Sequence, residues 1–91
     1  MRVARTARFK KAWKHLAWKH LNEEEKAIAR KAIKNLAMDI RYPALRTKKV
    51  KGTEYIWEAR VSRSLRMTFQ IERDTILLRN IGRHDEALER P

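Results

Sequence analysis

Several residue types are scarce or absent in this 91-residue chain, and each absence excludes a class of protein. There is no cysteine, which excludes disulfides, thiolate metal sites and a cysteine nucleophile. Glycine and proline occur only twice each, whereas a disordered tail would carry more breakers and fewer apolar residues. No apolar run has the length of a membrane span, and the N-terminus lacks the apolar stretch of a signal peptide. The composition therefore predicts one small globular domain, residues 1–91, that is soluble and cytoplasmic and has no membrane partner.

Acidic residues are missing from two stretches of the chain. Residues 1–21 contain seven Lys and Arg but no Asp or Glu, and residues 41–51 contain five and none. The other segments are balanced, so these two stretches carry the formal net charge of +12. Such segregation is typical of a surface that binds a polyanion and favours nucleic acid or the ribosome as a partner. An acidic protein would satisfy the same charge.

Helical periodicity dominates the first half of the chain. Apolar residues recur at three- and four-residue spacing over 9–21 and again over 28–40. Thr6 is placed to cap the first helix, and Asn22 with Glu25 resembles a capping box for the second. Tyr42-Pro43 ends the second helix. We therefore expect a helical hairpin.

The period changes to two after Gly52, which predicts β-strands. Strands are expected over 55–61, 65–72 and 75–81, with a short strand at 3–5 and a last helix at 86–90 capped by Asp85. The order is β-α-α-β-β-β-α. We predict an α+β fold in which the helical hairpin packs on one face of an antiparallel β-sheet.

Basic residues on the strands point to an anion site. Alternation directs Tyr55 and Trp57 towards the helices and leaves Arg60 and Arg66 together on the other, open face. A guanidinium fork suits phosphate recognition. Four further basic residues and one histidine are expected around this face: Lys48, Lys49, Lys51, Arg83 and His84.

Several of these residues also have a simpler interpretation. The segment Lys48–Lys51 could be a solvated loop. Arg60 and Arg66 could pair with Glu58 and Glu72 across the sheet. His84 can serve as a general acid or base near neutral pH, but a surface histidine is more often inert.

Aromatic and histidine residues of the first helix have similar alternatives. Trp18 lies off the apolar stripe, where it is either an amphipathic surface residue or a platform for a base. His15 and His20 are five residues apart, off a shared helical face, and we predict no metal site there. No cofactor is expected.

Short motifs in the second half resemble the RelE/ParE superfamily of toxins from toxin–antitoxin pairs. The motifs are Pro43-Ala44-Leu45-Arg46, Val50-Lys51-Gly52, Trp57-Glu58-Ala59-Arg60-Val61, Leu65-Arg66-Met67-Thr68-Phe69 and Asn80-Ile81-Gly82-Arg83-His84-Asp85. The two predicted helices also fit this family, so the resemblance covers nearly the whole chain.

The resemblance implies a metal-free endoribonuclease that cuts mRNA on the ribosome. The ribose 2′-hydroxyl would attack the adjacent phosphate. Arg60 and Arg66 would hold that phosphate, the Lys48–Lys51 segment would grip RNA, and His84 would act as general acid or base, as in the YafQ-like branch. The C-terminal tyrosine of many RelE-like members is missing, and no acid or base partner for His84 is assigned within residues 41–83.

The resemblance also implies a partner and an alternative target. An acidic cognate antitoxin would bind the basic chain, and toxin and antitoxin could form a heterotetramer. A ParE-like inhibitor of DNA gyrase would keep the fold without needing His84. A basic nucleic-acid-binding protein without toxicity is the third interpretation.

Overall fold

Two helices precede four of the five strands, and a short helix follows the last one. The computed structural model describes residues 1–91. The elements are β1 (Arg2–Arg5), α1 (Ala7–Lys19), α2 (Glu23–Met38), a 3-10 turn (Pro43–Leu45), β2 (Lys48–Lys49), β3 (Trp57–Arg60), β4 (Leu65–Glu72), β5 (Thr75–Arg83) and α3 (His84–Glu89). None of the helices has the length and apolar character needed to span a bilayer.

Local hydrogen bonds define where the first two helices begin. The Thr6 hydroxyl accepts a hydrogen bond from the Phe9 amide at 3.0 Å, which confirms Thr6 as the N-cap of α1. The Asn22 side chain accepts from the Glu25 amide at 2.8 Å, and the Glu25 carboxylate accepts from the Asn22 amide at 3.1 Å. This reciprocal pair is the predicted capping box. α2 ends at Met38, slightly earlier than its apolar pattern suggests.

The sheet has the strand order β1-β5-β4-β3-β2. The α+β class and the antiparallel meander β3-β4-β5 are confirmed. The sheet as a whole is mixed, because β1 pairs in parallel with β5, from Arg2 opposite Thr75 to Arg5 opposite Leu78. The pattern also did not reveal β2, which has only two residues and pairs antiparallel with β3.

One face of the sheet packs against α1 and α2. Its side chains join those of both helices in a single core, whose largest fully buried members are Phe9, Phe69, Leu36, Leu65, Met67, Ile76 and Leu78. Trp13 and Trp57 are half-buried against this core. Tyr55 was expected to face it, but Tyr55 precedes β3 and is 75% exposed, so that prediction is wrong.

The other face of the sheet is partly covered, although it was expected to be open. α3 contacts both β4 and β5, and the residues after it lie on the same face. Thr68 is completely buried there, and its hydroxyl donates to the Pro91 carbonyl at 2.9 Å. The carbonyl of Pro91 also accepts from Arg79 Nε at 3.1 Å. The helix and the last residues therefore reduce the free polar surface to the end of the sheet near β2 and β3.

The start of α3 also differs from its prediction. Arg83 is the N-cap, but its side chain makes no capping hydrogen bond to the amides of the helix. Asp85 lies inside the first turn, where its carboxylate is 3.2 Å from His84 Nδ1. Asp85 is therefore a neighbour of the histidine and not the cap of the helix.

Candidate active site

A cleft of about 340 Å³ lies between β2 and α3 on the polar side of the sheet. Three lysines, one carboxylate and one imidazole line it: Lys48, Lys49, Lys51, Glu58 and His84, with the apolar Val50 and Leu88. The lysines come from β2 and the residues after it, the carboxylate from β3 and the imidazole from the start of α3. One concave surface thus contains lysine ammonium groups together with a carboxylate and an imidazole, which are side chains that can exchange protons.

Glu58 lines the cleft although it had not been predicted as a site residue. Its place on β3, opposite Thr68 on β4, turns the carboxylate towards the cleft. The residue is 7% exposed, accepts no hydrogen bond from the protein, and has one charged neighbour, Lys48 Nζ at 4.0 Å. A carboxylate that the protein leaves without hydrogen bonds can accept a proton from a substrate hydroxyl. The period-two pattern puts Glu58 on the same face as Arg60, and this was the signal in the sequence that could have identified Glu58 as a site residue.

The segment Lys48–Lys51 is held in place by hydrogen bonds to the backbone of Val50. The Val50 amide donates to the Ile56 carbonyl at 2.8 Å, and the Thr53 hydroxyl donates to the Val50 carbonyl at 2.8 Å. Gly52 has a φ of 85°, the left-handed conformation that glycine adopts without strain. Val50 itself is buried, so the lysines on either side of it project from a fixed turn.

Lys49 also stabilises the edge of the cleft. Its ammonium lies 5.6 Å from the centre of the Trp57 ring, within the range of a cation–π interaction. Lys48 retains most of its exposure, at 71% for the side chain. Both ammonium groups remain near enough to solvent to meet an incoming anion.

His84 occupies the first position of α3 with a half-exposed ring. Its backbone amide donates to the Ser64 carbonyl at 3.0 Å, which ties the start of α3 to the β3–β4 loop. Its Nδ1 is 3.2 Å from the Asp85 carboxylate, whose side chain is almost fully exposed. An imidazole with one nitrogen beside a carboxylate and the other unbonded can exchange a proton with a ligand.

Arg66 and Arg60 are directly opposite each other on β4 and β3. Arg66 Nη1 donates to the Ser62, Leu65 and Arg63 carbonyls, at 2.6, 2.9 and 3.3 Å, while its other guanidinium nitrogens have no hydrogen bond to the protein. Arg60 makes neither a hydrogen bond nor an ion pair and borders a groove between α2 and the turn Pro43–Leu45.

The ion pairs of the chain exclude the simpler interpretation of these arginines. They are Lys26–Glu23, Lys48–Glu58 and His84–Asp85. Arg60 and Arg66 therefore do not neutralise Glu58 or Glu72, and the cross-strand pairing considered from the sequence is not present.

Arg83 lies on the opposite side of the sheet from the cleft. It pairs with the buried Leu65 across β4 and β5 and lines a smaller cleft with His15 and Leu16 of α1, with His20 just after α1, and with Glu86 of α3. Its Nη1 donates to the Ser64 hydroxyl at 2.6 Å. The expectation that Arg83 joins His84 is thus incorrect, because successive residues at the end of a strand point to opposite faces.

The rings of His15 and His20 approach each other more closely than their spacing suggested. Their centroids are 5.3 Å apart because His20 lies just beyond the last turn of α1. No group of three or more His, Asp or Glu side chains is arranged to hold a metal ion.

The structure thus places four of the predicted site residues in the cleft and leaves three outside its lining. Lys48, Lys49, Lys51 and His84 share the cleft with Glu58, a residue that had not been predicted there. Arg66 lies at the β3–β4 loop, Arg60 borders the groove beside α2, and Arg83 faces α1. The cleft therefore combines three lysines with a carboxylate and an imidazole.

The fold of this chain is that of RelE- and YafQ-type toxins, as comparison with solved structures shows. A metal-bound toxin from Helicobacter pylori superposes with a TM-score of 0.75 at 22% identity, covering 94% of this chain and 97% of that one. The E. coli DinJ–YafQ complex gives a TM-score of 0.70 at 13% identity, over 94% and 97%. The RelB–RelE antitoxin–toxin complex from Methanococcus jannaschii gives 0.69 at 17% identity, over 94% and 95%.

Sequence comparisons add no closer relative. No protein-family model matches the chain. No curated protein matches it either. The similarity is therefore one of fold, and the function has to be argued from the residues of the cleft.

Proposed function

We propose that this protein is the toxin of a toxin–antitoxin pair and acts as a metal-independent endoribonuclease on mRNA at the ribosome. The observation that carries the proposal is the meeting of Glu58 and His84 with three lysines in one cleft. Fold alone does not imply function, so the residues of this cleft decide the reaction class. They suit attack of a ribose 2′-hydroxyl on the adjacent phosphate, which needs a base, an acid and positive charge.

In the proposed reaction, Glu58 accepts the proton of the 2′-hydroxyl as the 2′-oxygen forms a bond to phosphorus. Protonated His84 donates its proton to the 5′-oxygen, whose bond to phosphorus breaks. The products are a 2′,3′-cyclic phosphate and a 5′-hydroxyl, and no further reactant is required. Lys48 and Lys51 would stabilise the negative charge that develops on the phosphate oxygens.

The two strand arginines are proposed to act at the borders of the cleft. The unbonded nitrogens of Arg66 can contact a phosphate at the β3–β4 loop. Arg60, which has no protein partner, would contact the RNA backbone further along β3. If Arg66 and Arg60 each bound a different phosphate of the same strand, the scissile bond would be held in the orientation needed for attack.

The proposed partner is an acidic antitoxin. Two of the solved structures with this fold are complexes of a toxin with its antitoxin. The formal charge of +12 would accelerate association with an acidic chain by electrostatic steering. An antitoxin that covers the cleft would neutralise its lysines and block RNA at the same time.

The test is cell-free translation of a defined mRNA with the purified protein, followed by mapping of RNA ends. The parent protein should stop translation and leave fragments with 2′,3′-cyclic phosphate and 5′-hydroxyl termini. Replacement His84→Ala removes the proposed acid and should lower cleavage about 100-fold or more. Tyr55→Ala, which changes an exposed aromatic residue outside the cleft, is the matched control and should cut like the parent.

Two results would contradict the proposal. Intact mRNA under conditions in which the protein blocks translation would exclude cleavage as the mechanism. Inhibition of DNA supercoiling by gyrase that is equally strong in the parent and in His84→Ala would favour the gyrase inhibitor instead.

A further inference from the structure

The solvent-facing side of α1 forms a second positively charged surface, separate from the cleft. Lys11, Lys14, His15, Trp18 and Lys19 line an open groove of about 400 Å³. The spacing of three and four residues puts them on one stripe of the helix. The buried residues Phe9 and Leu16 occupy the opposite side. We call this stripe the α1 groove.

Trp18 is the most unusual residue of the α1 groove. It is 85% exposed, although an indole ring usually gains from burial. The other two tryptophans, Trp13 and Trp57, pack against the core. Trp18 therefore makes no evident contribution to folding, and its ring is free to receive a planar ligand.

The lysines of the α1 groove have no partners in the protein. None of Lys11, Lys14 and Lys19 takes part in an ion pair or a side-chain hydrogen bond. No acidic residue occurs before Glu23, so the charge of this surface is not neutralised locally. The α1 groove therefore presents an exposed indole ring surrounded by three unpaired ammonium groups.

The α1 groove adjoins the smaller cleft that contains Arg83. His15 belongs both to the groove and to the smaller cleft that contains Arg83. The next residue after Arg83 is His84, which lines the active-site cleft. Arg83 faces α1 and His84 faces the cleft, so the two surfaces meet the chain on either side of the end of β5.

We propose that the α1 groove binds single-stranded RNA, with one base stacked on Trp18 and neighbouring phosphates held by Lys11, Lys14 and Lys19. The inference rests on the proposed function for the choice of RNA, and it adds a second contact for the substrate strand. Stacking accepts any base, and lysines bind any phosphate, so this contact contributes affinity without sequence preference.

A nucleic acid fits the α1 groove better than an acidic protein does. A protein interface needs an apolar centre of several residues, whereas Trp18 is the only large exposed apolar side chain of the groove. The others lie elsewhere, at Met1, Ile28, Met38, Tyr42, Tyr55 and Ile71. The groove offers three lysines and a histidine around one aromatic ring. A base-paired duplex would not suit it, since its bases are already stacked.

The test measures binding of a short fluorescein-labelled oligouridylate to the purified full-length chain. Replacement Trp18→Ala should weaken binding about tenfold, whereas Trp18→Phe should retain it because phenylalanine still stacks. Tyr55→Ala, another exposed aromatic, is the matched control and should bind like the parent. An oligonucleotide without bases should bind the parent as weakly as oligouridylate binds Trp18→Ala.

The lysines are tested through the dependence of binding on salt. Joint replacement of Lys11, Lys14 and Lys19 by glutamine should reduce the slope of log K against log salt by about 2, since each phosphate contact with a single strand contributes about 0.7. Addition of RNA should quench indole fluorescence more strongly in the parent than in Trp18→Phe, which retains Trp13 and Trp57.

Equal affinity of the parent and Trp18→Ala for oligouridylate would overturn the inference. A Trp18→Ala variant that loses binding only to polyglutamate would overturn it too, and would assign the groove to an acidic protein. These outcomes are independent of mRNA cleavage. A protein that cuts no mRNA but binds oligouridylate through Trp18 would refute the proposed function alone.

Discussion

The role of Glu58 can be tested by a single change of charge, Glu58→Gln. The amide has the shape of the carboxylate but cannot accept the proton of the 2′-hydroxyl. A positioned general base contributes roughly 100- to 10,000-fold to a reaction, so cleavage should decrease by that factor. The residue is 7% exposed and lies in the cleft with His84, so solvent does not readily replace it as the proton acceptor.

Binding of RNA should change in the opposite direction. A phosphate about 5 Å from the carboxylate is repelled by about 0.8 kcal/mol even in a medium as polar as water, so its neutralisation should tighten binding about fourfold. The stability of the fold should change little. Glu58 accepts no hydrogen bond, and its partner Lys48 is 71% exposed, so the ion pair is worth less than about 1 kcal/mol.

The assay compares three measurements on the parent and on Glu58→Gln. Cleavage is followed by the appearance of 2′,3′-cyclic phosphate ends, RNA binding by fluorescence polarisation, and stability by thermal unfolding. Glu72→Gln makes the same charge change on the exposed end of β4 and is the matched control. Slower cleavage with tighter binding and an unchanged midpoint of unfolding is the expected result.

A Glu58→Gln protein that cleaves within about twofold of the parent, while His84→Ala is inactive, would refute the role of Glu58 as the base. A general base contributes far more than twofold to the rate. A large decrease in the unfolding midpoint would also refute it, by showing that the carboxylate supports the fold. The two outcomes separate a base from a structural residue.

Two further predictions concern local structure. Replacement Asn22→Ala removes the capping box of α2 and should lower the free energy of unfolding by about 1 kcal/mol. Circular dichroism should then show a midpoint of thermal unfolding about 4–8 °C below that of the parent. An unchanged midpoint would show that the cap is dispensable. Replacement Thr68→Val keeps the shape of a fully buried side chain but removes its hydrogen bond to the Pro91 carbonyl, at a cost of about 1 kcal/mol. Hydrogen exchange should then accelerate in α3 and not in β5, whereas equal acceleration in both would contradict an anchoring role.

Local periodicity was sufficient to predict the helices, the strands other than β2, and which side of β3 and β4 is polar. The helix starts at Thr6 and Asn22 depend on hydrogen bonds that span three residues, so the sequence contains both partners. The alternation in β3 and β4 put Arg60 and Arg66 on one face, and the register places them opposite each other. Such predictions succeed because they depend only on neighbours along the chain.

The composition of the site depended on contacts between distant parts of the chain. The sequence alone supplied the basic segment around Lys48, the histidine at position 84 and the arginines of the strands. Only the tertiary structure placed α3 on the polar face, turned Arg83 towards α1 and left Glu58 in the cleft beside the lysines. The parallel pairing of β1 with β5 likewise joins residues that are more than 70 positions apart. Periodicity specifies which face a side chain occupies, but long-range packing decides what covers that face.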